Sequence, residues 1–70
     1  MGTAIRDERI SRGWSQEELA ARSSLHVTYI SGIERGRRNP TLSVLWRLAS
    51  ALKMPLSALL SRAEAGGKQA

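Results

Sequence analysis

The chain has 70 residues, of which 11 are Lys or Arg and six are Asp or Glu, giving a formal net charge of +5 at pH 7. It contains no Cys and a single His, so disulfides and thiolate zinc sites are excluded and no set of metal ligands is evident. The length predicts one domain near the lower size limit for a self-sufficient core, and the charge favours a polyanionic partner.

Membrane attachment is not expected. The longest apolar run is far shorter than the roughly 20 residues that a membrane-spanning helix needs. The first residues lack the charged and then apolar pattern of a secretory signal, and Arg6 stands where a myristoylation motif requires Ser or Thr. We therefore expect a soluble protein of the cytoplasm.

Two helices are predicted in the first third of the chain. Residues 5–12 are good helix formers and are followed by Gly13, a typical helix stop. In the segment WSQEEL, Ser15 is placed to cap a second helix and Glu18 to complete a capping box. Trp14 is placed to pack on Leu19 as a hydrophobic staple. A polar Ser-Ser pair then ends this helix near residues 23–24.

Residues 27–34 are predicted to form a third helix with two unlike sides. At about 100° per residue, Ile30 and Ile33 fall together on one side. The opposite side carries short side chains and then one arginine: Thr28, Ser31, Gly32 and Arg35. Solvated helix faces are usually rich in Lys and Glu, so this small face indicates close approach to another molecule. Gly36 ends the helix, and Arg37 and Arg38 follow.

Two further helices complete an all-α fold. Pro40 pushes Asn39 out of helical geometry, and Thr41 is placed to cap a fourth helix. The predicted buried stripe of this helix comprises Leu42, Leu45, Leu48, Ala49 and Leu52. Pro55 ends the helix, and residues 56–62 are predicted to form a fifth. We expect one domain over residues 1–62 and a disordered tail over residues 63–70.

A capped helix, a turn of about three residues and a second short helix with a small polar face form a helix-turn-helix arrangement. The chain resembles the Cro/C1-type (XRE) helix-turn-helix family over residues 5–60. The matching segments are Ile5-Arg6 with Arg9, GWSQEELA, YIS-IE-G and NPTL, in that order. SSLHVTYISGIERGRRN is most similar to the controller proteins of restriction-modification systems, which share the core SxLxxTYISGIER. The resemblance implies a five-helix, lambda-repressor-like fold with the helix-turn-helix at helices two and three.

The resemblance also implies roles for individual residues. The positions expected to contact bases in the major groove are Val27, Thr28, Ser31 and Gly32. Gln16 matches a glutamine that hydrogen-bonds a phosphate in the family. From their positions in and directly after the third helix, Tyr29, Arg35, Arg37 and Arg38 are also expected to contact the DNA backbone. Arg9 and Glu34 match a partly buried ion pair between the first and third helices. A homodimer interface is expected at the apolar residues of the C-terminal end, namely Trp46, Leu56, Leu59 and Leu60.

Three positions depart from the family pattern. Ser24 replaces a common turn glycine, so a left-handed backbone there would carry a modest penalty. His26 stands where a capping Ser, Thr or Asp is usual and is a poorer cap. Val27 replaces a long polar residue and offers only apolar contact, for instance to a thymine methyl.

The expected function is that of a sequence-specific, double-stranded DNA-binding transcriptional regulator, a homodimer that reads a pseudo-palindromic operator. Two alternatives remain: an antitoxin-type interaction module that also represses its own promoter, and the DNA-binding piece of a longer regulator. An alternative without DNA contact also remains for four residues, as ordinary surface or packing residues: Thr28, Tyr29, Ser31 and Gly32. The sequence shows no paired acids, nucleophile-base set or phosphate loop, so no enzyme, cofactor or small-molecule effector is expected.

Overall fold

A computed structural model describes residues 1–67 as five α-helices joined by short turns. The helices are α1 (Gly2–Ser11), α2 (Gln16–Ser23), α3 (Val27–Glu34), α4 (Leu42–Ala51) and α5 (Leu56–Gly67). Helix α2 contacts α3 and α4, while α1 contacts α3 and α5, and α4 contacts α5. None of the helices described is long and apolar enough to cross a bilayer. The predicted all-α fold of five helices is confirmed.

One hydrophobic core lies where the five helices meet. Its completely buried side chains come from every helix: Ile5, Leu19, Ile30, Ile33, Leu48, Leu52 and Leu59. Smaller or partly covered apolar residues, including Trp14, Val27 and Tyr29, pack against this cluster. Because each helix contributes at least one fully buried side chain, the position of α3 is set by the packing of the whole domain.

The C-terminal half differs from the sequence prediction in two places. Leu45, Leu48, Ala49 and Leu52 are buried as predicted, but Leu42, the first residue of α4, is 68% exposed. Helix α5 continues to Gly67, so residues 63–67 are helical where a disordered tail was predicted. The remainder of that predicted tail, residues 68–70, lies outside the described residues.

Helix α1 begins three residues earlier than predicted because its N-terminus packs against the end of α3. The Ile5 amide donates to the Met1 carbonyl at 3.1 Å, which closes the first turn. Gly2 lies so close to α3 that a Cβ there would meet the carbonyl oxygens of Ile33 and Glu34. This approach braces the C-terminal end of α3, where the chain turns toward its arginine-rich loop.

Helices α1 to α4 all end in a Schellman motif. One or two residues after the last residue of each helix, the backbone is left-handed, at Gly13, Ser24, Gly36 and Lys53. In each case the next amide donates to the carbonyl five residues back, as in the bonds Trp14 to Arg9 at 3.2 Å and Met54 to Ala49 at 3.0 Å. The left-handed geometry expected at Ser24 is present, with φ 59° and ψ 38°.

Candidate nucleic-acid interface

Helix α2 begins at the cap that the sequence predicts. Ser15 Oγ accepts a hydrogen bond from the Glu18 amide at 3.0 Å. The reciprocal half of the capping box does not form, because the Glu18 carboxylate pairs with Arg22 at 2.6 Å instead. The same Arg22 guanidinium lies 4.2 Å from the centroid of the Trp14 ring, which packs against the core. The entry to the helix-turn-helix is thus fixed by one cap bond and one arginine-aromatic contact.

The turn between α2 and α3 is short and is held mainly by its backbone. Ser24 reverses the chain with its left-handed conformation, and the Leu25 amide donates to the Ala20 carbonyl at 2.9 Å. His26 is the N-cap of α3 and makes no side-chain capping bond, in agreement with its expected weakness as a cap. Arg47 of α4 donates to the Ser24 carbonyl at 3.4 Å and connects this turn to the rest of the domain.

Helix α3 has the two sides that its spacing predicts. Ile30 and Ile33 are buried at 0% and 1% exposure, whereas Thr28 on the opposite side is exposed. Val27 and Tyr29 are half-buried and pack partly against the core, so each presents only part of its side chain to solvent. The outer side of α3 therefore carries only short side chains, with Thr28 exposed and Ser31 and Gly32 half-buried.

The loop after α3 folds back along this outer side. Gly36 has φ +77°, a conformation that suits glycine, and it allows the chain to reverse. The amides of Arg37 and Arg38 both donate to the Gly32 carbonyl, at 2.8 and 3.2 Å. One shallow, open concavity results, and its lining residues are Thr28, Ser31, Gly32, Arg35, Arg37 and Arg38. The structure thus brings together three predicted base-contacting residues and three predicted backbone-contacting arginines.

Arg35 lies along α3 and not away from it. Its Nε and Nη2 atoms both donate to Ser31 Oγ, at 3.2 and 3.1 Å. The side chain therefore runs back toward the N-terminus of α3, the direction in which helical side chains are tilted. This contact carries the guanidinium to the middle of the outer side, one turn before the Arg35 backbone.

Gly32 makes room for Arg38. A Cβ at Gly32 would lie 3.1 Å from Arg38 Cγ and 3.3 Å from Arg38 Cδ, so the arginine stem packs directly on the glycine backbone. The Arg38 guanidinium then lies 5.3 Å from the centroid of the Tyr29 ring. The sequence interpretation attributed the missing side chain at Gly32 to close approach by DNA. In the structure, the space beside Gly32 is filled by the Arg38 side chain of the same molecule.

Arg9, Gln16 and Glu34 join α1, α2 and α3. Arg9 Nε and Nη2 donate to the Glu34 carboxylate at 2.8 and 3.0 Å, so the predicted ion pair is present. The two side chains are only 11% and 3% exposed. Gln16 Nε2 donates to the same carboxylate at 3.1 Å, which leaves its second amide hydrogen for another acceptor. The hydrogen bond to Glu34 raises the pKa of Arg9 above its usual value despite the opposing effect of burial.

A second polar cluster, which the sequence interpretation missed, connects α1 to α5. The buried Glu8 carboxylate pairs with Arg12 at 2.9 Å and with Arg62 at 2.8 Å. Arg12 Nη2 also donates to the Leu52 carbonyl at 2.6 Å, close to the end of α4. The spacing of Glu8 and Arg12 along a helix is a visible signal for the first pair. No sequence pattern indicates the pairing with Arg62, because it depends on how α5 lies against α1.

An exposed apolar patch lies where α4 and α5 meet. We define the patch as Trp46, Leu56 and Leu60; Trp46 is 64% and Leu60 40% exposed, and Leu56 is half-buried. Trp46 and Leu56 border a shallow depression with Ala49, Ser50, Met54 and Pro55. Leu59, predicted to lie in a dimer interface, is completely buried in the monomer core. That prediction is wrong for Leu59, because α5 turns this side chain inward and leaves it no surface for a partner.

Comparison with known proteins assigns the chain to a family. A helix-turn-helix family model matches residues 5–59, and the chain belongs to this family. Control protein C.SmaI of Serratia marcescens is 48% identical over 58 residues, covering 83% of this chain and 69% of that protein. The crystal structure of the restriction-modification controller protein C.AhdI from Aeromonas hydrophila matches with a TM-score of 0.81 at 41% identity, covering 83% of this chain and 88% of that one.

The length of some relatives differs from that of this chain. An uncharacterized HTH-type transcriptional regulator of Sinorhizobium fredii, y4dJ, is 52% identical over 44 residues, which cover 63% of this chain and 57% of that protein. The chain spans about half the length of the curated relatives that match it first. These relatives are transcriptional regulators and controller proteins by name, and not enzymes. The predicted resemblance to the Cro/C1-type family and to controller proteins is confirmed.

Proposed function

We propose that this chain is a sequence-specific, double-stranded DNA-binding transcriptional regulator of the controller type that acts in the cytoplasm as a symmetric homodimer. Helix α3 enters the major groove with its outer side, which carries Val27, Thr28, Ser31 and Gly32, toward the bases. Two copies place their α3 helices in successive grooves about 34 Å apart and read a pseudo-palindromic operator.

The observation that carries this proposal is the outer side of α3, which carries short side chains and is lined by Arg35, Arg37 and Arg38. The major groove is about 12 Å wide and admits a helix whose outward side chains are short. Arg35, Arg37 and Arg38 share one concavity with Thr28 and Ser31, which supports simultaneous contact with bases and phosphates. In the described residues these three arginines take part in no ion pair, whereas Arg9, Arg12, Arg22 and Arg62 do.

Gln16 and Tyr29 are assigned to the phosphate backbone in this proposal. Gln16 lies at the first position of α2, where backbone amides and the helix dipole favour an anion. Its contact with Glu34 orients the amide and leaves one hydrogen for a phosphate oxygen. Tyr29 contributes its hydroxyl while its ring packs partly against the core.

The homodimer is assigned to the apolar patch. Trp46 is exposed and shares a depression with the half-buried Leu56, and the exposed Leu60 follows Leu56 by about one turn of α5. Exposed apolar side chains that lie together are typical of a contact surface. The adjoining depression between α4 and α5 offers a place for an apolar side chain of a second copy. A twofold dimer uses the same patch on both copies, so one substitution alters both sides of the interface.

A second candidate is the DNA-binding piece of a longer regulator. The observation that favours it is the length of the first curated relatives, about twice the span that this chain matches. Detection of the natural gene product with an antibody against residues 1–67 tests it. A product near the 7.7 kDa of this chain contradicts this candidate, whereas a product of about twice that mass supports it.

DNA binding is tested by titrating protein into labelled duplexes at several salt concentrations. Arg37→Glu is expected to weaken binding to every duplex and to lower the salt dependence, because it removes a phosphate contact. Thr28→Ala is expected to change the ranking among duplexes while the salt dependence stays close to that of the parent protein. Equal affinity of the parent protein for all duplexes, or unchanged affinity after Arg37→Glu, contradicts the proposal.

A further inference from the structure

We propose that Arg35 is a specificity-determining residue that reads a guanine in the major groove, with Ser31 as the residue that positions it. This inference rests on the proposed function and reverses the sequence interpretation of both residues. Arg35 was expected at the phosphates and Ser31 at the bases. The hydrogen bonds between them indicate that Ser31 orients the guanidinium and that Arg35 contacts the base.

The first argument is that Ser31 binds only one edge of the Arg35 guanidinium. Ser31 Oγ accepts from Nε and Nη2 of Arg35, at 3.2 and 3.1 Å, and so uses the side edge of the group. A guanidinium has five N–H donors in a rigid plane. The end edge, formed by Nη1 and Nη2, keeps two parallel N–H groups. This pair matches the O6 and N7 acceptors that guanine presents in the major groove.

The second argument is the position of the guanidinium on α3. Residues 28, 31 and 35 lie on one side of the helix, and Arg35 is exposed. Contact with Ser31 brings the charged group back by one turn, from the end of α3 to the middle of its outer side. The end of a recognition helix usually lies farther from the bases than its beginning. The backward direction of the side chain therefore turns a terminal residue into one that reaches the groove floor.

The third argument is the freedom of Arg35 from acidic partners. Within the described residues no carboxylate lies within ion-pair distance of it, so its only polar side-chain contact is Ser31. The charge is therefore not neutralised by the protein before DNA arrives. Holding the long side chain in one arrangement also removes part of the entropy that is otherwise lost on binding.

The experiment uses the complete chain and a duplex selected by it from a random pool. Each guanine of a half-site is replaced in turn by adenine, which lacks O6, by 7-deazaguanine, which lacks N7, and by inosine, which keeps both acceptors. The parent protein is expected to lose roughly 10- to 100-fold in affinity for adenine at one symmetric pair of positions. It is expected to lose affinity for 7-deazaguanine there as well and to keep it for inosine.

Variants of Arg35 and Ser31 then distinguish contact with the base from positioning of the arginine. Arg35→Ala is expected to abolish the preference for guanine at that pair, while preferences elsewhere in the half-site persist. Ser31→Ala is expected to reduce the same preference several-fold, and Ser31→Thr, which keeps a hydroxyl, to retain it. In the Arg35→Ala background, Ser31→Ala is expected to have no further effect at that pair. The matched control Arg37→Ala lowers affinity for all duplexes alike.

Three outcomes are distinguishable. If Arg35→Ala weakens all duplexes equally and leaves the guanine preference intact, Arg35 contacts phosphate and the inference is overturned. If Ser31→Ala acts equally with and without Arg35, Ser31 reads the base itself and the positioning role is wrong. If the parent protein shows no sequence preference at all, the proposed function has failed as well. Circular dichroism melts verify folding, which these solvent-facing changes are expected to leave intact.

Discussion

At the scale of single residues, Glu34 has the largest structural role in the candidate interface. Its carboxylate accepts hydrogen bonds from Arg9 of α1 and Gln16 of α2 while its own backbone ends α3. Charges removed from water are stable only when they are paired and fully hydrogen-bonded. Glu34 therefore stabilises the relative placement of the first three helices and also orients Gln16.

Glu34→Ala is expected to lower the free energy of unfolding by about 3 kcal/mol, because it leaves the partly buried Arg9 charge without its carboxylate partner. Urea unfolding followed by circular dichroism measures this loss. Glu18→Ala is the matched control, since its pair with Arg22 is 46% and 45% exposed. Exposed pairs of this kind contribute less than about 1 kcal/mol. Equal losses for the two variants contradict the role assigned to Glu34.

At the scale of helices and turns, the four Schellman motifs make the short helices end sharply and thereby place α3. Two of their left-handed residues are glycines and two, Ser24 and Lys53, are not. An L-residue other than glycine in this conformation costs roughly 1 kcal/mol. The domain therefore retains some backbone strain at the turn before α3 and at the end of α4.

Lys53→Gly is expected to raise the free energy of unfolding by about 0.5 to 1 kcal/mol, because glycine adopts the left-handed backbone without the Cβ penalty. Thermal or urea unfolding measures the gain. Lys53→Ala removes the same charge but keeps the penalty, so it is expected to give no gain. A stabilisation of equal size in both variants would show that charge, and not backbone geometry, limits stability at this turn.

Most helix boundaries are predictable because their signals are local. Ser15 and Thr41 cap α2 and α4, and glycines follow α1 and α3, as the residue types indicate. The early start of α1 depends on the close packing of Gly2 against α3, and the exposure of Leu42 depends on what covers α4. Such features arise from contacts between parts of the chain that are distant in sequence. Helical periodicity carries no information about these contacts.

The candidate interface was predictable in outline and not in detail. Spacing along α3 is enough to separate Thr28 and Ser31 from Ile30 and Ile33. The contacts of Arg35 with Ser31 and of Arg38 with Gly32 are not visible in that spacing, because they depend on side-chain direction and on the reversal of the loop. The sequence therefore predicts which residues form the outer side of α3, whereas the structure shows which of these residues contact one another.

At the scale of the whole molecule, the candidate interface and the apolar patch lie on different elements. The first belongs to α3 and its following loop, and the second to α4 and α5. The Glu8 cluster attaches α5 to α1, which in turn contacts α3. A dimer formed through the patch would therefore hold two α3 helices in a fixed relation through packed elements of each copy.

Leu60→Glu is expected to shift the protein from dimer to monomer, because it places a charge in an apolar contact on both copies. Sedimentation velocity at several protein concentrations measures the shift. Ile10→Glu is the matched control, since Ile10 is 52% exposed on α1 outside the patch. A monomeric parent protein contradicts the dimer, and dissociation by Ile10→Glu alone places the contact elsewhere.

The most direct test of the central claim is selection of bound duplexes from a random pool by the complete chain. If α3 reads the major groove from a symmetric dimer, the enriched sequences share two inverted half-sites. Their centres are expected about 10 base pairs apart or at a multiple of one helical turn. Enriched sequences without a common motif, at a salt concentration where binding is measurable, would contradict the account.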